Sequence, residues 1–465
     1  MRYLFLAALM LALPLLGIAQ QTRSGSGGSK LFTYPYAIDD LPNGLRLVTV
    51  PTDYPNLVSL YIVVAAGSRN EVEAGKSGFA HFFEHMMFRG SENYTNEQRE
   101  AIFTRAGAET NAYTTDDRTV YHATFSKEDL EEIMKAEADR FQRLKYTPEQ
   151  FKTEAKAVKG EYDKNSANPF SKMFEVLRET AFKKHTYSHT TMGYLKDIED
   201  MPNQYDYSKE FFSRFYRPEY STIVVVGDIT RERALDLTKK YWGAWQRGSY
   251  KADISEEPEQ KESRTAHIPW DAPTLPHLAV AFRGPEFSDS SKDLAALDLF
   301  QSVAFGENSD LYQQLVLKEQ KVDVLGADFG HQADPELFTV YARVKDPAQV
   351  TYVRDQILKT FERFKTEQIE QARLEATRSR MRYGFAMAMN SNNAIASALA
   401  PYIALERTPE TLNRLFDTYQ TVTAGEIRDA VKKYFREESR TVVTLATKGQ
   451  NLAALGSRGG EGGRD

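Results

Sequence analysis

The residues best suited to chemistry lie in one short run, His81-Phe82-Phe83-Glu84-His85. Before it, Glu73-Ala74-Gly75-Lys76-Ser77-Gly78 has the composition of a turn and cap; after it, Met86-Met87-Phe88 continues an apolar stretch closed by Gly90. That pattern predicts a helix. Four residues apart on a helix, His81 and His85 stack on one face, so both imidazoles can reach a single metal ion. Glu84 falls on the adjoining edge, where a carboxylate can take a proton from a water at the metal without being a ligand itself. The competing reading is two satisfied core histidines beside a solvated charge. It gives no electrostatic reason for stacked imidazoles in an otherwise apolar helix.

A catalytic zinc site wants a third protein ligand. The chain has no cysteine, which removes thiolate sites and disulfides together and leaves His and carboxylate as the ligand types. A helix expected over 148–164, opened by Pro148, carries Glu149, Glu154 and Glu161. Glu154 and Glu161 lie two turns apart on one face, and periodicity does not choose between them. The run H-x-x-E-H itself is the inverted form of the zinc-peptidase signature.

These residues need a scaffold, and 465 residues are too many for one core, which predicts two or more domains. With 41% hydrophobic and 27% charged residues the composition is that of a globular protein. A formal net charge of −6 offers no electrostatic footprint for nucleic acid, and that partner class drops out. Met1-Arg2 followed by an apolar run to Ala19 has the form of a cleaved export signal over 1–20, with a flexible Ser/Gly-rich linker over 21–30. This points to a periplasmic or secreted protein with no stable membrane span after signal removal; an uncleaved anchor is the alternative.

Strands are expected at 45–50, 58–65, 109–115, 119–125 and 222–226, and helices at 96–105, 170–182, 207–215 and 231–242 as well as at the two segments above. The charged stretch 246–265 has no apolar period and reads as a surface linker. Beyond residue 265 the chain echoes its first half at an offset of about 220 residues: Tyr121 to Phe125 is answered by Tyr341 to Lys345, and Phe215-Tyr216-Arg217 by Tyr434-Phe435-Arg436. The expected fold class is therefore α+β. A metal-bearing half over 31–245 and a second half over 266–447 would each be a mostly antiparallel sheet packed with helices, together a clam-like pair. A disordered Gly/Arg-rich tail covers 448–465. Shifted by the offset, the metal helix falls around 300–304, which holds no histidine, and Glu154 and Glu161 fall near Leu374 and Met381. Only the first half can hold the metal.

The motif His81 to His85, with Glu161 inside Glu154-Ala155-Lys156-Ala157-Val158-Lys159-Gly160-Glu161, resembles the pitrilysin/insulinase family of zinc peptidases (inverzincins). It is similar to the smaller members that resemble the mitochondrial processing peptidase and its bacterial relatives. Asn111-Ala112-Tyr113-Thr114, Tyr216-Arg217-Pro218 and Gly227-Asp228 agree with that family's pattern. The resemblance implies a metalloendopeptidase that uses one Zn2+ ion, with His81, His85 and Glu161 as ligands, Glu84 as general base and Glu154 as a supporting carboxylate. It also implies a peptide or unfolded polypeptide bound along the strand at Asn111, Ala112 and Tyr113. The alternative is a non-catalytic structural or peptide-binding subunit of the same fold. Members of the family active alone or as homodimers carry an Arg and a Tyr in the second half; Val316 and Asp323 stand in their places here. The expectation is a metal-bearing subunit of a heterodimer, whose related partner supplies the Arg/Tyr pair, with a homodimer as the other possibility.

Overall fold

Two sheets carry the architecture of this protein, a computed structural model of which describes residues 30–450 and Leu452. The expected signal, nearly all of the Ser/Gly linker and most of the tail lie outside the described residues. The first sheet contains β1 (Ala37–Asp40), β2 (Arg46–Pro51), β3 (Leu57–Val64), β4 (Glu109–Thr114), β5 (Thr119–Ser126) and β6 (Ser221–Gly227), in the order β1-β2-β6-β3-β5-β4. The second contains β7 (Arg264–Trp270), β8 (His277–Arg283), β9 (Val322–Phe329), β10 (Leu337–Val344) and β11 (Arg440–Thr447), in the order β7-β11-β8-β10-β9. In each sheet one pair is parallel, β2 with β6 and β7 with β11, and the other pairings are antiparallel. Removing β1 leaves the same order and the same directions, so the two sheets are copies of one design, as the internal echo predicts. β7 begins at Arg264, two residues inside the stretch expected as linker.

β3 and β6 read as continuous apolar runs because they are covered on both faces. On one face Leu60, Ile62, Ile223 and Val225 share a core with Phe79, Phe82 and Phe83. On the other, Tyr61, Val63, Val224 and Val226 pack with Ile395, Ala396 and Leu399 of the helix Asn392–Glu406, which comes from the second half of the chain. The exchange is reciprocal. Met173, Leu177 and Ala181 of the helix Pro169–Ala181 cover Ala279, Ala281 and Val443 of the second sheet. Each sheet thus buries one of its faces with a helix lent by the other half.

Buried charges reinforce this join. The β4–β5 turn points inward: Asp116 and Asp117 are each 6% exposed. Asp117 accepts from Tyr187 Oη (2.7 Å) and from the Ala333 amide (2.8 Å), while Arg178 pairs with Asp116 (3.0 Å) and Glu336 (3.4 Å). Asp334 accepts from Arg69 and lies 2.8 Å from His185 Nε2.

Candidate metal centre

The helix Phe79–Met86 is short, and its apolar face explains its orientation. Phe82 packs edge-on against Phe151 (centroids 4.9 Å) and Phe83 stacks on Phe211 (5.5 Å), which locks that face into the first-half core. The opposite face, bearing His81, Glu84 and His85, is left toward β4 and the helix Pro148–Ser166. That second helix starts where expected, with Thr147 accepting from the Gln150 amide and Pro148 in its first turn.

The three expected ligands come together. His81 Nε2 and His85 Nε2 are 3.3 Å apart, His81 Nε2 and Glu161 Oε1 3.8 Å, and His85 Nε2 and Glu161 Oε2 3.5 Å. Ligand atoms about 2.0–2.1 Å from a tetrahedral ion sit roughly 3.3 Å from one another, so the donor set fits zinc. Among the described residues this is the one group of three such side chains able to share an ion. Burial, then the neighbouring His85, lowers the His81 pKa to about 4, so at neutral pH its ring is the unprotonated form a ligand needs.

The structure separates the two glutamates that periodicity leaves open. Glu154 is buried and faces His85 Nδ1 at 3.0 Å, on the far side of the ring from the donor cluster, so it orients that imidazole rather than joining the three. Burial pushes the Glu154 carboxyl up, but His85 and Arg89 outweigh it and hold it low; Arg89 Nε donates to Glu154 at 2.5 Å. Glu84, chiefly through burial, is raised above the usual carboxylate range, and it accepts a hydrogen bond from Thr114 Oγ1 at 2.7 Å.

Thr114 and Arg89 are the two residues near the site to which sequence reasoning gives no role. Thr114 closes the Asn-Ala-x-Thr run on β4, and Arg89 lies in the stretch just after the motif helix. Asn111, Ala112 and Tyr113 also lie on β4, the outermost strand of the first sheet. Ala112 is buried, whereas Asn111 is exposed and its side-chain oxygen accepts from the Ala112 amide at 2.9 Å. Val316 sits in the helical turn Gln313–Lys318, and Asp323 on β9 pairs with Arg343 at 2.9 Å. In the second half, Gln301, Phe305 and Met381 occupy the offset positions of His81, His85 and Glu161; they line a cavity of about 630 Å³, and among the described residues no second set of three metal-ligating side chains comes together.

Comparison with known proteins bears on the family and the fold. Residues 46–194 match the family described as Insulinase (Peptidase family M16), and residues 204–381 match the description Peptidase M16 inactive domain. The chain is 26% identical over 411 residues to a Zinc protease PqqE of Helicobacter pylori, covering 87% of this chain and 91% of that protein. It is 23% identical over 409 residues to the Mitochondrial-processing peptidase subunit beta of Saccharomyces cerevisiae, covering 83% of this chain and 86% of the relative. The crystal structure of a protease from Helicobacter pylori superposes with a TM-score of 0.83 at 26% identity, over 89% of this chain and 99% of that one. The first half of the periplasmic protease PqqL from Escherichia coli shares the fold, with a TM-score of 0.71 at 19% identity over 89% and 92% of the two chains.

Proposed function

Because the chain belongs to the insulinase (M16) family of peptidases, we propose that it is a zinc-dependent metalloendopeptidase acting on peptides or unfolded polypeptides, with one Zn2+ ion held by His81, His85 and Glu161. The observation that carries this reading is the mutual approach of their three donor atoms within 4.8 Å. A zinc ion bound there supplies Lewis acidity toward water and the scissile carbonyl. Glu84, beside the donors and partly desolvated, takes the proton of the attacking water and returns it to the leaving amine. Thr114 holds the carboxylate of Glu84 in place, and Glu154 holds the ring of His85.

β4 is the open edge of its sheet, which supports binding of the substrate as an added strand through main-chain hydrogen bonds at Asn111, Ala112 and Tyr113. Such binding reads backbone more than side chains, hence the preference for extended or unfolded chains. Val316 and Asp323, where family members active alone or as homodimers carry Arg and Tyr, support a metal-bearing subunit that needs a related partner. The apolar run behind Arg2 supports action in an exported compartment. Among the described residues no helix is long and apolar enough to cross a membrane.

The test is zinc content and peptidase activity of the purified chain, alone and with the related subunit. One zinc per chain, weak cleavage alone and strong cleavage in the mixture are expected. Full activity from the lone chain would refute the split site. In Glu84→Gln, zinc should remain at one per chain while turnover is lost, and retained turnover would remove Glu84 from its role.

A further inference from the structure

The buried ionisable group closest to the metal helix that the mechanism leaves unused is Glu71. Its side chain is fully enclosed, yet no Arg or Lys among the described residues pairs with it. The nearest basic group, His189 Nδ1 at 3.8 Å, is itself kept neutral by burial and lies 2.9 Å from the Thr190 carbonyl. What Glu71 does hold is the beginning of the metal helix. One carboxylate oxygen accepts from the Gly78 amide and the other from the Ala80 amide, each at 2.7 Å.

These are two of the amide groups that every helix leaves without an internal partner in its first turn. The ordinary solution, a side chain at the residue before the helix, is absent: that residue is Gly78, at φ +90°. A helix of eight residues is marginal by itself, and His81 comes directly after Ala80. We infer that Glu71 is a positioning residue for the metal centre: its two-point grip on the Gly78 and Ala80 amides fixes the height and rotation of the helix so that His81 and His85 meet Glu161. The inference rests on the zinc-peptidase reading.

Chemistry distinguishes this role from general support of the fold. A lone buried carboxylate is costly to keep ionised, and burial raises its pKa well above the usual range. Glutamine has the same shape and removes that cost. However, it offers the two amides only one acceptor oxygen and presents a donor to the other. If Glu71 merely filled space, Glu71→Gln would be harmless. As a positioning group it should trade metal affinity for little or no loss of stability.

The experiment uses the full chain of wild type and Glu71→Gln. Zinc affinity is read by competition with a chromophoric chelator, the metal-free melting temperature by calorimetry, and amide hydrogen exchange across 78–81 without metal. For Glu71→Gln we expect a 10–100-fold weaker zinc affinity, faster exchange across 78–81, kcat lowered with KM nearly unchanged, and a metal-free Tm within about 4 °C of wild type. Zinc affinity and exchange equal to wild type would overturn the inference. So would a zinc loss that appears only with a collapse of the metal-free Tm. Glu71→Ala, which serves neither amide, should weaken zinc at least as far, and Glu71→Gln decides the matter if that variant does not fold. A wild-type chain that takes up no zinc would overturn the peptidase reading and this inference together, whereas failure in Glu71→Gln alone leaves the peptidase reading standing.

Discussion

The hydrogen bond from Thr114 to Glu84 joins a strand to a helix across the site, and it is the sort of contact on which a general base depends. Removing it in Thr114→Val should lower kcat about five- to tenfold, the equivalent of roughly 1 kcal/mol. Zinc content should not change; a kcat equal to wild type would show that Glu84 needs no such support. On the other side of the ligands, Glu154→Gln should weaken zinc binding about 10–100-fold, because His85 loses its orienting carboxylate and Arg89 its partner. Titration with a competing chelator measures this. Residues of the motif are legible in the sequence because helix geometry alone stacks His81 on His85. The choice between Glu154 and Glu161 is not legible from geometry: both share a face of one helix, and only its docking decides which reaches the Nε2 side of His85. Thr114 is marked by the Asn-Ala-x-Thr run, but its bond to Glu84 has no local signal, since its partner is brought to it by the packing of a helix against a strand.

At the level of elements, the entry to the metal helix is tightly confined. Gly193, at φ +77°, sits so close that a Cβ there would lie 2.7 Å from the Gly78 amide nitrogen. Ser77 donates to Asp197 (2.6 Å) and accepts from the Tyr194 amide (2.8 Å), closing the same contact. Gly193→Ala should therefore cost about 1–3 kcal/mol of stability from backbone strain alone. It should also shift the start of the helix, so that denaturant melts and zinc affinity fall together. A variant as stable as wild type would show that the loop simply moves aside. The strands β3 and β6 are readable as apolar runs, and the repeat of the sheet is readable from the echo. The start of β7 is not, because Arg264-Thr265-Ala266-His267 continues the polar composition of the segment before it. Nor does composition distinguish the Asp116-Asp117 turn from a solvated one; the groups that satisfy it when buried come from Arg178, Tyr187 and the Ala333 amide, all distant in sequence.

Across the whole molecule, the lent helices make the two halves one cooperative object. A fragment ending at 245 keeps β1–β6 but exposes Tyr61, Val63, Val224 and Val226, and it should remain unfolded or aggregate where the full chain melts in a single transition. The buried join also carries a pH dependence. Burial raises the Glu336 pKa from 4.5 to about 7, so the folded state binds this proton more tightly than the unfolded one. Its stabilising contribution is full below about pH 4.5 and is lost as pH rises through about 7. Glu336→Gln should therefore gain on wild type with rising pH, by up to about 3 kcal/mol at pH 8; parallel stability curves from pH 4.5 to 8 would exclude it. The exchange also orders events in time. β3 is finished by residue 64, but the helix that covers its second face ends at Glu406. A ribosome must deliver most of the chain before the first sheet can close, so the nascent chain carries an open apolar face through most of its synthesis, a natural place for a chaperone to bind.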